Sequence, residues 1–241
     1  MSHARQLVTD PGPLLGRLLP DGASVAESFG DPPPGTAETE LFPAEQEAVR
    51  NAVDKRRREY STVRYCARQA LAGLGLPRIP ILNGPKREPL WPDGVVGSMT
   101  HCEGYRAAAV ARTDVLLGLG IDAEPHGPLP DGVLESIALP EELDHLTDLG
   151  ARLPAVQWGR VLFSAKESVY KTWFPLAHCW LGFEEAALEF EPDPAGDGGR
   201  FTARLLRPGL VVDGKPADQL TGRWLVCRDL VITAVSLVAT G

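Results

Sequence analysis

The run Val115-Leu116-Leu117-Gly118-Leu119-Gly120-Ile121 constrains the fold more than any other stretch of this chain. Continuous apolar character closed by Asp122-Ala123-Glu124-Pro125 reads as a buried strand with a polar end. On a strand, residues i and i+2 share a face, so Asp122 and Glu124 point the same way and Ala123 points the other. About forty residues further on, Phe163-Ser164-Ala165-Lys166-Glu167-Ser168 lies in a segment of helical periodicity. Three carboxylates, Asp122, Glu124 and Glu167, with Lys166 beside the last, suit a magnesium ion that handles phosphates.

The rest of the composition sets bounds. With 241 residues, 44% hydrophobic and 23% charged, the chain can bury a substantial core as one large domain or two small ones. No apolar stretch approaches the roughly 20 residues of a membrane helix, and Met1 to Asp10 has no apolar core of the secretory kind. Cys66, Cys102, Cys179 and Cys227 are scattered without a CxxC pair, so they read as reduced cysteines of a cytoplasmic protein. A net charge of −8 argues against a general nucleic-acid binder but permits a local basic pocket. Asp31-Pro32-Pro33-Pro34-Gly35 and Glu191 to Gly199 read as a linker or exposed loop and a flexible connection, and no internal repeat is visible.

Periodicity predicts a strand over Ser24 to Phe29 and one long helix from Pro43 to Leu74, with Val49, Val53, Tyr60, Val63, Ala67, Ala70, Leu71 and Leu74 on its packed face. Arg56 interrupts that stripe, and Arg57, Arg64 and Arg68 adjoin it. They form either a solvated basic flank or a phosphate pocket. Ile79 to Gly84 is extended. Short strands follow at Val95 to Met99 and Tyr105 to Ala111, with Ser98-Met99-Thr100-His101-Cys102-Glu103-Gly104 as the turn between them. Helices are predicted at Leu134 to Leu149 and Val156 to Leu176. The second carries a packed stripe (Leu162, Ala165, Val169, Thr172/Trp173, Leu176) and a polar one (Arg160, Ser164, Glu167, Lys171). From spacing alone, Glu167 and Lys171 also fit a surface i, i+4 salt bridge. Strands at Leu188 to Glu191, Arg200 to Leu206, Arg223 to Cys227 and Val231 to Val238 complete a mixed α and β chain, with Arg228-Asp229-Leu230 as its last hairpin turn.

Gly120-Ile121-Asp122-Ala123-Glu124 followed by Phe163-Ser164-Ala165-Lys166-Glu167-Ser168-Val169-Tyr170-Lys171 resembles the signature of the Sfp-type phosphopantetheinyl transferases. Lys86-Arg87-Glu88-Pro89-Leu90-Trp91 and Ser98-Met99-Thr100-His101 resemble the family's earlier motifs. The wording is most similar to the actinobacterial branch serving polyketide, nonribosomal peptide and fatty-acid synthases. The likeness runs from about Pro43 to Phe183. It overturns the salt-bridge reading of Glu167.

The resemblance implies an α+β fold of two similar α/β halves forming a pseudo-dimer in one monomeric chain. Residues 1–112 would be the N-terminal, coenzyme A-binding half, and 113–241 the C-terminal half with the magnesium site and catalytic helix. The implied reaction moves 4′-phosphopantetheine from coenzyme A to a serine of an apo acyl or peptidyl carrier protein, releasing adenosine 3′,5′-bisphosphate. Asp122, Glu124 and Glu167 would hold Mg²⁺, with Mn²⁺ as a substitute and Glu167 also the general base. Lys166 would contact the α-phosphate or leaving oxygen, and Lys171 would support Glu167. Arg56, Arg64 and His101 would grip the 3′-phosphate and pyrophosphate. Lys86 and Arg87 would lie beside the adenine end, with Ser98 and Thr100 donating hydrogen bonds there.

Phe163 stands where many members carry tryptophan, and Ala123 leaves no third acid between the two strand carboxylates, a site for water. Leu176 to Phe183 is a candidate carrier-docking surface, or plain core. Two rival readings are another magnesium-dependent phosphate enzyme, which would need no carrier, and a binding module whose acidic clusters are surface ion pairs.

Overall fold

A computed structural model describes residues 13–31, 35, 37–212 and 214–239. The readings of Met1 to Asp10 and of Pro32 to Pro34 lie outside them. The described chain runs β1 (Ser24–Phe29), α1 (Pro43–Ala48), α2 (Asp54–Gly73), β2 (Val95–Cys102), β3 (Tyr105–Arg112), β4 (Leu116–Pro125), α3 (Val133–Ile137), α4 (Pro140–Arg152) and α5 (Trp158–Ala177). It ends with β5 (Ala186–Pro192), β6 (Gly198–Leu205), the small hairpin β7 (Val211–Val212) and β8 (Lys215–Pro216), β9 (Gln219–Cys227) and β10 (Leu230–Val238).

The α+β character expected from the strand and helix patterns is what the structure has. A three-stranded antiparallel sheet, β1-β3-β2, carries α2, and a five-stranded antiparallel sheet, β4-β10-β9-β6-β5, carries α5. The chain passes from the first sheet to the second between Arg112 and Leu116. One apolar core lies under each helix. A third joins the two sheets, with Tyr105, Ala107 and Ala109 of β3 meeting Ile121 and Ala123 of β4 and Ile232 of β10.

The predicted helix from Pro43 to Leu74 is broken at Val49 to Val53. A continuous helix would hold Glu45 and Arg68 about 34 Å apart at 1.5 Å per residue. Folding α1 back instead lets the fully buried Glu45 accept two hydrogen bonds from Arg68 Nη1, at 3.0 and 3.1 Å, and one from the backbone N–H of Ile81 at 2.9 Å. Val53, assigned to the packed face, ends up exposed ahead of α2. The predicted helix over Leu134 to Leu149 is likewise split, at Leu139. Pro140 holds the residue before it extended (ψ 155°) and then opens α4.

Those two breaks reveal a repeat that sequence comparison within the chain missed. Phe42-Pro43-Ala44-Glu45 and Leu139-Pro140-Glu141-Glu142 each place proline in the first turn and turn a glutamate back onto the N-cap amide. In the second half the buried Glu142 accepts from Lys166 Nζ and from the backbone N–H of Leu188, each at 2.8 Å. Glu45, Arg68 and Ile81 thus correspond to Glu142, Lys166 and Leu188. Each set ties a short helix to a twenty-residue helix.

Smaller differences follow from local chemistry. Ser98 to Cys102 continue β2 rather than forming a turn: they stay paired with β3 through Cys102, and the Ser98 and Thr100 hydroxyls find partners on β4. Glu191 to Gly199 forms a tight hairpin, with Pro192 paired to Gly199. Arg228 and Asp229 both have positive φ, 54° and 58°, as a two-residue type I′ turn requires. The two-residue strands of the β7–β8 hairpin are too short to show an alternating pattern in the sequence. The four cysteines form no disulfide; Cys66 is buried and the others are half-buried.

Helix α5 sits directly on the glycines of β4. A Cβ at Gly120 would collide with the Ser168 carbonyl oxygen and lie 2.8 Å from the Thr172 amide, and one at Gly118 would press on Leu176 and Thr172 at 3.1 and 3.2 Å. Gly120→Val should lower Tm by roughly 3–10 °C, the usual cost of overpacking in a domain of this size. Gly150→Ala, where an added Cβ meets nothing within 4 Å, should leave Tm unchanged or raise it. Scanning calorimetry of both variants is the check.

Candidate active site

Helix α5 lies antiparallel to β4. Arg160, in the first turn, reaches Glu124 near the strand's end, while Thr172 sits over Gly118 and Gly120. The polar stripe of α5 therefore lies along the polar face of β4. Ser164 bonds Thr233 of β10 at 2.9 Å, Lys171 bonds Asp122, and Glu167 lies between them on the helix.

Asp122 is 5% exposed. Its Oδ1 accepts from Lys171 Nζ at 2.7 Å and from the Thr100 hydroxyl at 3.2 Å, while Oδ2 is buried without a donor among the described residues. A buried, unpaired carboxylate oxygen is costly, and a cation would satisfy it. Glu124 gives one oxygen to Arg160 at 2.9 Å. Burial, and then the neighbouring Asp122, push its carboxyl above the ordinary range. Glu167 makes no side-chain hydrogen bond or ion pair among the described residues. Burial raises its pKa, Lys171 opposes the rise and Asp122 adds to it.

Among the described residues no three His, Cys, Asp or Glu side chains are gathered into a ready ligand cage. Asp122 is engaged with Lys171, and Glu124 with Arg160.

Beside these carboxylates opens a cavity of about 590 Å³ between the two halves. Arg56, Arg64, Lys86, Arg87, Ser98, His101, Glu167 and Lys171 all line it. Arg64 is 3% exposed, lies 3.3 Å over the Tyr60 ring, and donates to the Ile81 carbonyl at 2.9 Å and Asn83 Oδ1 at 2.6 Å. The nearest carboxylate, Glu45, is 3.8 Å away and already serves Arg68. Burial depresses the Arg64 pKa to about 10, so an anion in the cavity would relieve a charge held at a cost. Arg56 Nη1 lies 3.1 Å from His101 Nε2, and Glu59 is 3.6 Å from that same nitrogen. Burial lowers the His101 pKa, partly offset by Glu59. Arg57 and Arg68 face elsewhere: Arg57 donates to the carbonyls of Arg50 and Ala52, and Arg68 to Glu45. The basic residues of α2 are thus divided between pocket and scaffold.

Lys86 and Arg87 are exposed on a tight turn closed by Gly84 N–H to Glu88 O at 2.8 Å, with Arg87 at φ 69°.

Two expectations, those for Lys166 and Thr100, are corrected. Lys166 does not line the large cavity; its ammonium is committed to Glu142 and to the carbonyls of Ile137 and Phe183, at 2.8 and 2.7 Å. Thr100 also lies off the cavity wall. Its hydroxyl accepts from the Ala123 amide at 3.1 Å and donates to Asp122, so it orients a carboxylate rather than a ligand. Ser98 lines the cavity, but its hydroxyl accepts from the Ile121 amide at 3.1 Å. Ala123 faces the core shared by the two sheets, so an acid there would be buried in apolar surroundings, not added to the cluster. Lys171, given a supporting part by the resemblance, lines the cavity where Lys166 does not.

A second cavity of about 120 Å³ shares Glu167 and Tyr170 with the first and is otherwise lined by Lys166 and the Trp180 to Ala186 segment. Trp180 is 65% exposed with its ring 4.9 Å from that of Tyr170, so it is not core. Phe183 is half-buried, 6.0 Å from Phe163 between ring centres.

Comparison with known proteins gives the family. Residues 44–111 match the 4′-phosphopantetheinyl transferase N-terminal domain and residues 118–215 the 4′-phosphopantetheinyl transferase superfamily. The chain is 52% identical to 4′-phosphopantetheinyl transferase Svp of Streptomyces mobaraensis, over 94% of this chain and 90% of the relative. It is 49% identical to 4′-phosphopantetheinyl transferase PptT of Mycobacterium tuberculosis, over 94% of this chain and 99% of the relative. For 4′-phosphopantetheinyl transferase Npt of Nocardia iowensis the identity is 44%, over 92% and 99%. The chain belongs to the 4′-phosphopantetheinyl transferase superfamily.

The buried Lys166–Glu142 pair has a direct test. Lys166→Met leaves Glu142 buried and unpaired, and should cost roughly 3–5 kcal/mol of stability. Coenzyme A affinity of the folded variant should stay within about twofold of wild type, well under the tenfold that 1.4 kcal/mol represents. Calorimetric titration with coenzyme A alongside thermal unfolding separates this from a phosphate contact, which would weaken binding and leave Tm unchanged.

Proposed function

We propose that this enzyme transfers 4′-phosphopantetheine from coenzyme A to a serine hydroxyl of apo acyl or peptidyl carrier proteins, releasing adenosine 3′,5′-bisphosphate. Carriers of polyketide, nonribosomal peptide or fatty-acid synthases are the partners, in a cytoplasmic, monomeric enzyme. The observation that carries the reading is a large cavity lined by Arg56, Arg64, Lys86, Arg87, His101 and Lys171, with Glu167 in its wall and Asp122 held against Lys171. Coenzyme A carries a 3′-phosphate and a pyrophosphate, and six cationic or imidazole groups suit that charge.

Arg56, Arg64 and His101 hold the phosphates, Arg64 as a preset group that donates hydrogen bonds to two neutral acceptors. Lys86 and Arg87 flank the adenine end, with Ser98 in the wall. Lys171 takes the part first given to Lys166, a point charge beside the pyrophosphate. Asp122, Glu124 and Glu167 would hold Mg²⁺, or Mn²⁺ in its place. The partnerless Asp122 oxygen and the all-carboxylate donor set fit a hard cation. When bound, the ion supplies positive charge to the pyrophosphate oxygens.

Glu167 accepts the serine proton. Its burial, which raises its pKa, brings it closer to the operating pH of a general base. The serine oxygen then bonds the β-phosphorus, and the bond from that phosphorus to the bridging oxygen breaks. The electron pair leaves with adenosine 3′,5′-bisphosphate, where Lys171 faces the new charge. Because Glu167 and Tyr170 border both cavities, the face around Trp180 is the side from which the carrier approaches.

Intact-protein mass spectrometry of an apo carrier incubated with enzyme, coenzyme A and Mg²⁺ tests the reading. One phosphopantetheine arm should be added, and Glu167→Ala or Asp122→Asn should slow transfer at least about 100-fold, the usual weight of a general base. Glu167 must be ionised both to act as base and to hold the cation, so the rate should fall as pH drops through its titration. Hydrolysis of a nucleotide or pyrophosphate without any carrier would favour the rival phosphate enzyme.

A further inference from the structure

Arg160 belongs to the polar stripe of α5, yet the transfer reaction as described gives it nothing to do. It does not line the large cavity. Its guanidinium is nonetheless fully engaged along its fork: Nε donates to the Gly127 carbonyl at 3.2 Å, Nη1 to Glu124 Oε2 at 2.9 Å and Nη2 to the Pro128 carbonyl at 2.6 Å. The charged ends are mostly buried, with side-chain exposures of 16% for Arg160 and 22% for Glu124.

Two of those partners are carbonyls of the loop that leaves β4, so the arginine is fixed independently of Glu124. The loop is held from a second side, since His126 Nε2 accepts the backbone N–H of Gln157 at 3.0 Å, just ahead of α5. A planar fork anchored at two points holds its third partner in one direction, which a flexible lysine would not do. Glu124 needs such help. It is next to last in β4, where the ladder to β10 is ending, and Asp122 two residues earlier carries like charge.

We infer that Arg160 is the positioning residue of Glu124: it holds one carboxylate oxygen in place and leaves the other turned toward Asp122 and the divalent cation. This rests on the proposal that Glu124 is a cation ligand. Partners of a ligand carboxylate set its orientation, and their loss typically weakens metal binding about 10–100-fold.

The test is Mn²⁺ titration of the full-length enzyme with coenzyme A present and no carrier, followed by the electron paramagnetic resonance signal of free Mn²⁺. Wild type, Arg160→Gln, Arg160→Lys and Glu124→Gln are compared. Arg160→Gln should raise the Mn²⁺ dissociation constant about tenfold or more. Arg160→Lys, which keeps the charge and loses the fork, should fall between it and wild type. Coenzyme A affinity measured without metal should not move, a split that general loosening of the fold would not produce. If Arg160→Gln does not fold, the lysine variant carries the comparison.

Unchanged Mn²⁺ binding in both Arg160 variants, with Glu124→Gln impaired, would reduce the arginine to a loop anchor and overturn the inference. Tighter Mn²⁺ binding in Arg160→Gln would make it a competitor of the cation and overturn it too. Unimpaired binding in Glu124→Gln would instead remove Glu124 from the cation site, and the inference with it.

Discussion

Close contact between the backbone of α5 and the glycine face of β4 governs the site. Gly118 and Gly120 offer no side chain, so the helix descends until the Ser168 carbonyl and Thr172 amide rest on the strand. At that distance Lys171 reaches Asp122, Arg160 reaches Glu124, and Glu167 comes near enough to Asp122 for the two charges to interact. A side chain at either glycine would lift the helix and separate the third acid from the first two. The glycines thus serve chemistry by being absent volume, and close packing makes small displacements costly.

The other edge of β4 is set by different means. Its outward amides at Ile121 and Ala123 are taken by the hydroxyls of Ser98 and Thr100 on β2, in step along the two strands. This substitutes side-chain oxygens for a backbone ladder where the two sheets meet, and leaves a cleft on one side of the junction. Thr100 then passes a hydrogen bond on to Asp122. Buried ion pairs complete the frame: Glu45 with Arg68 and Glu142 with Lys166 each answer a backbone amide as well, which is the condition under which buried charges are tolerated. The same device used twice is the plainest trace of two related halves.

Most strands, α5 and the placing of Asp122 and Glu124 at the end of β4 were legible because each rests on local pattern: an apolar run, a helical stripe, an i, i+2 pair. What was hidden depends on long-range partners. Nothing local in Pro43 to Leu74 says that Glu45 must reach Arg68, so one helix was expected where two lie. Ser98, Thr100 and His101 looked like a polar turn because their partners are distant in the chain, on β4 for the two hydroxyls and on α2 for the imidazole. Adjacent Lys166 and Glu167 invited one shared role, yet neighbours on a helix point about 100° apart; one enters the scaffold and the other the cleft. The stripe Arg160, Ser164, Glu167, Lys171 was the signal that separated them, since it includes Glu167 and Lys171 and passes over Lys166.

If α5, seated on Gly118 and Gly120, presents Glu167 to the same cation as Asp122 and Glu124, as proposed, the three carboxylates form one site at the edge of the cleft. Anomalous diffraction from crystals grown with coenzyme A and Mn²⁺ tests it most directly. The account predicts one manganese peak within coordination distance, roughly 2.0–2.3 Å, of oxygens from Asp122, Glu124 and Glu167, with the pyrophosphate alongside. A pyrophosphate in the cleft with manganese bound away from Asp122, or with Glu167 turned from the metal, would contradict it.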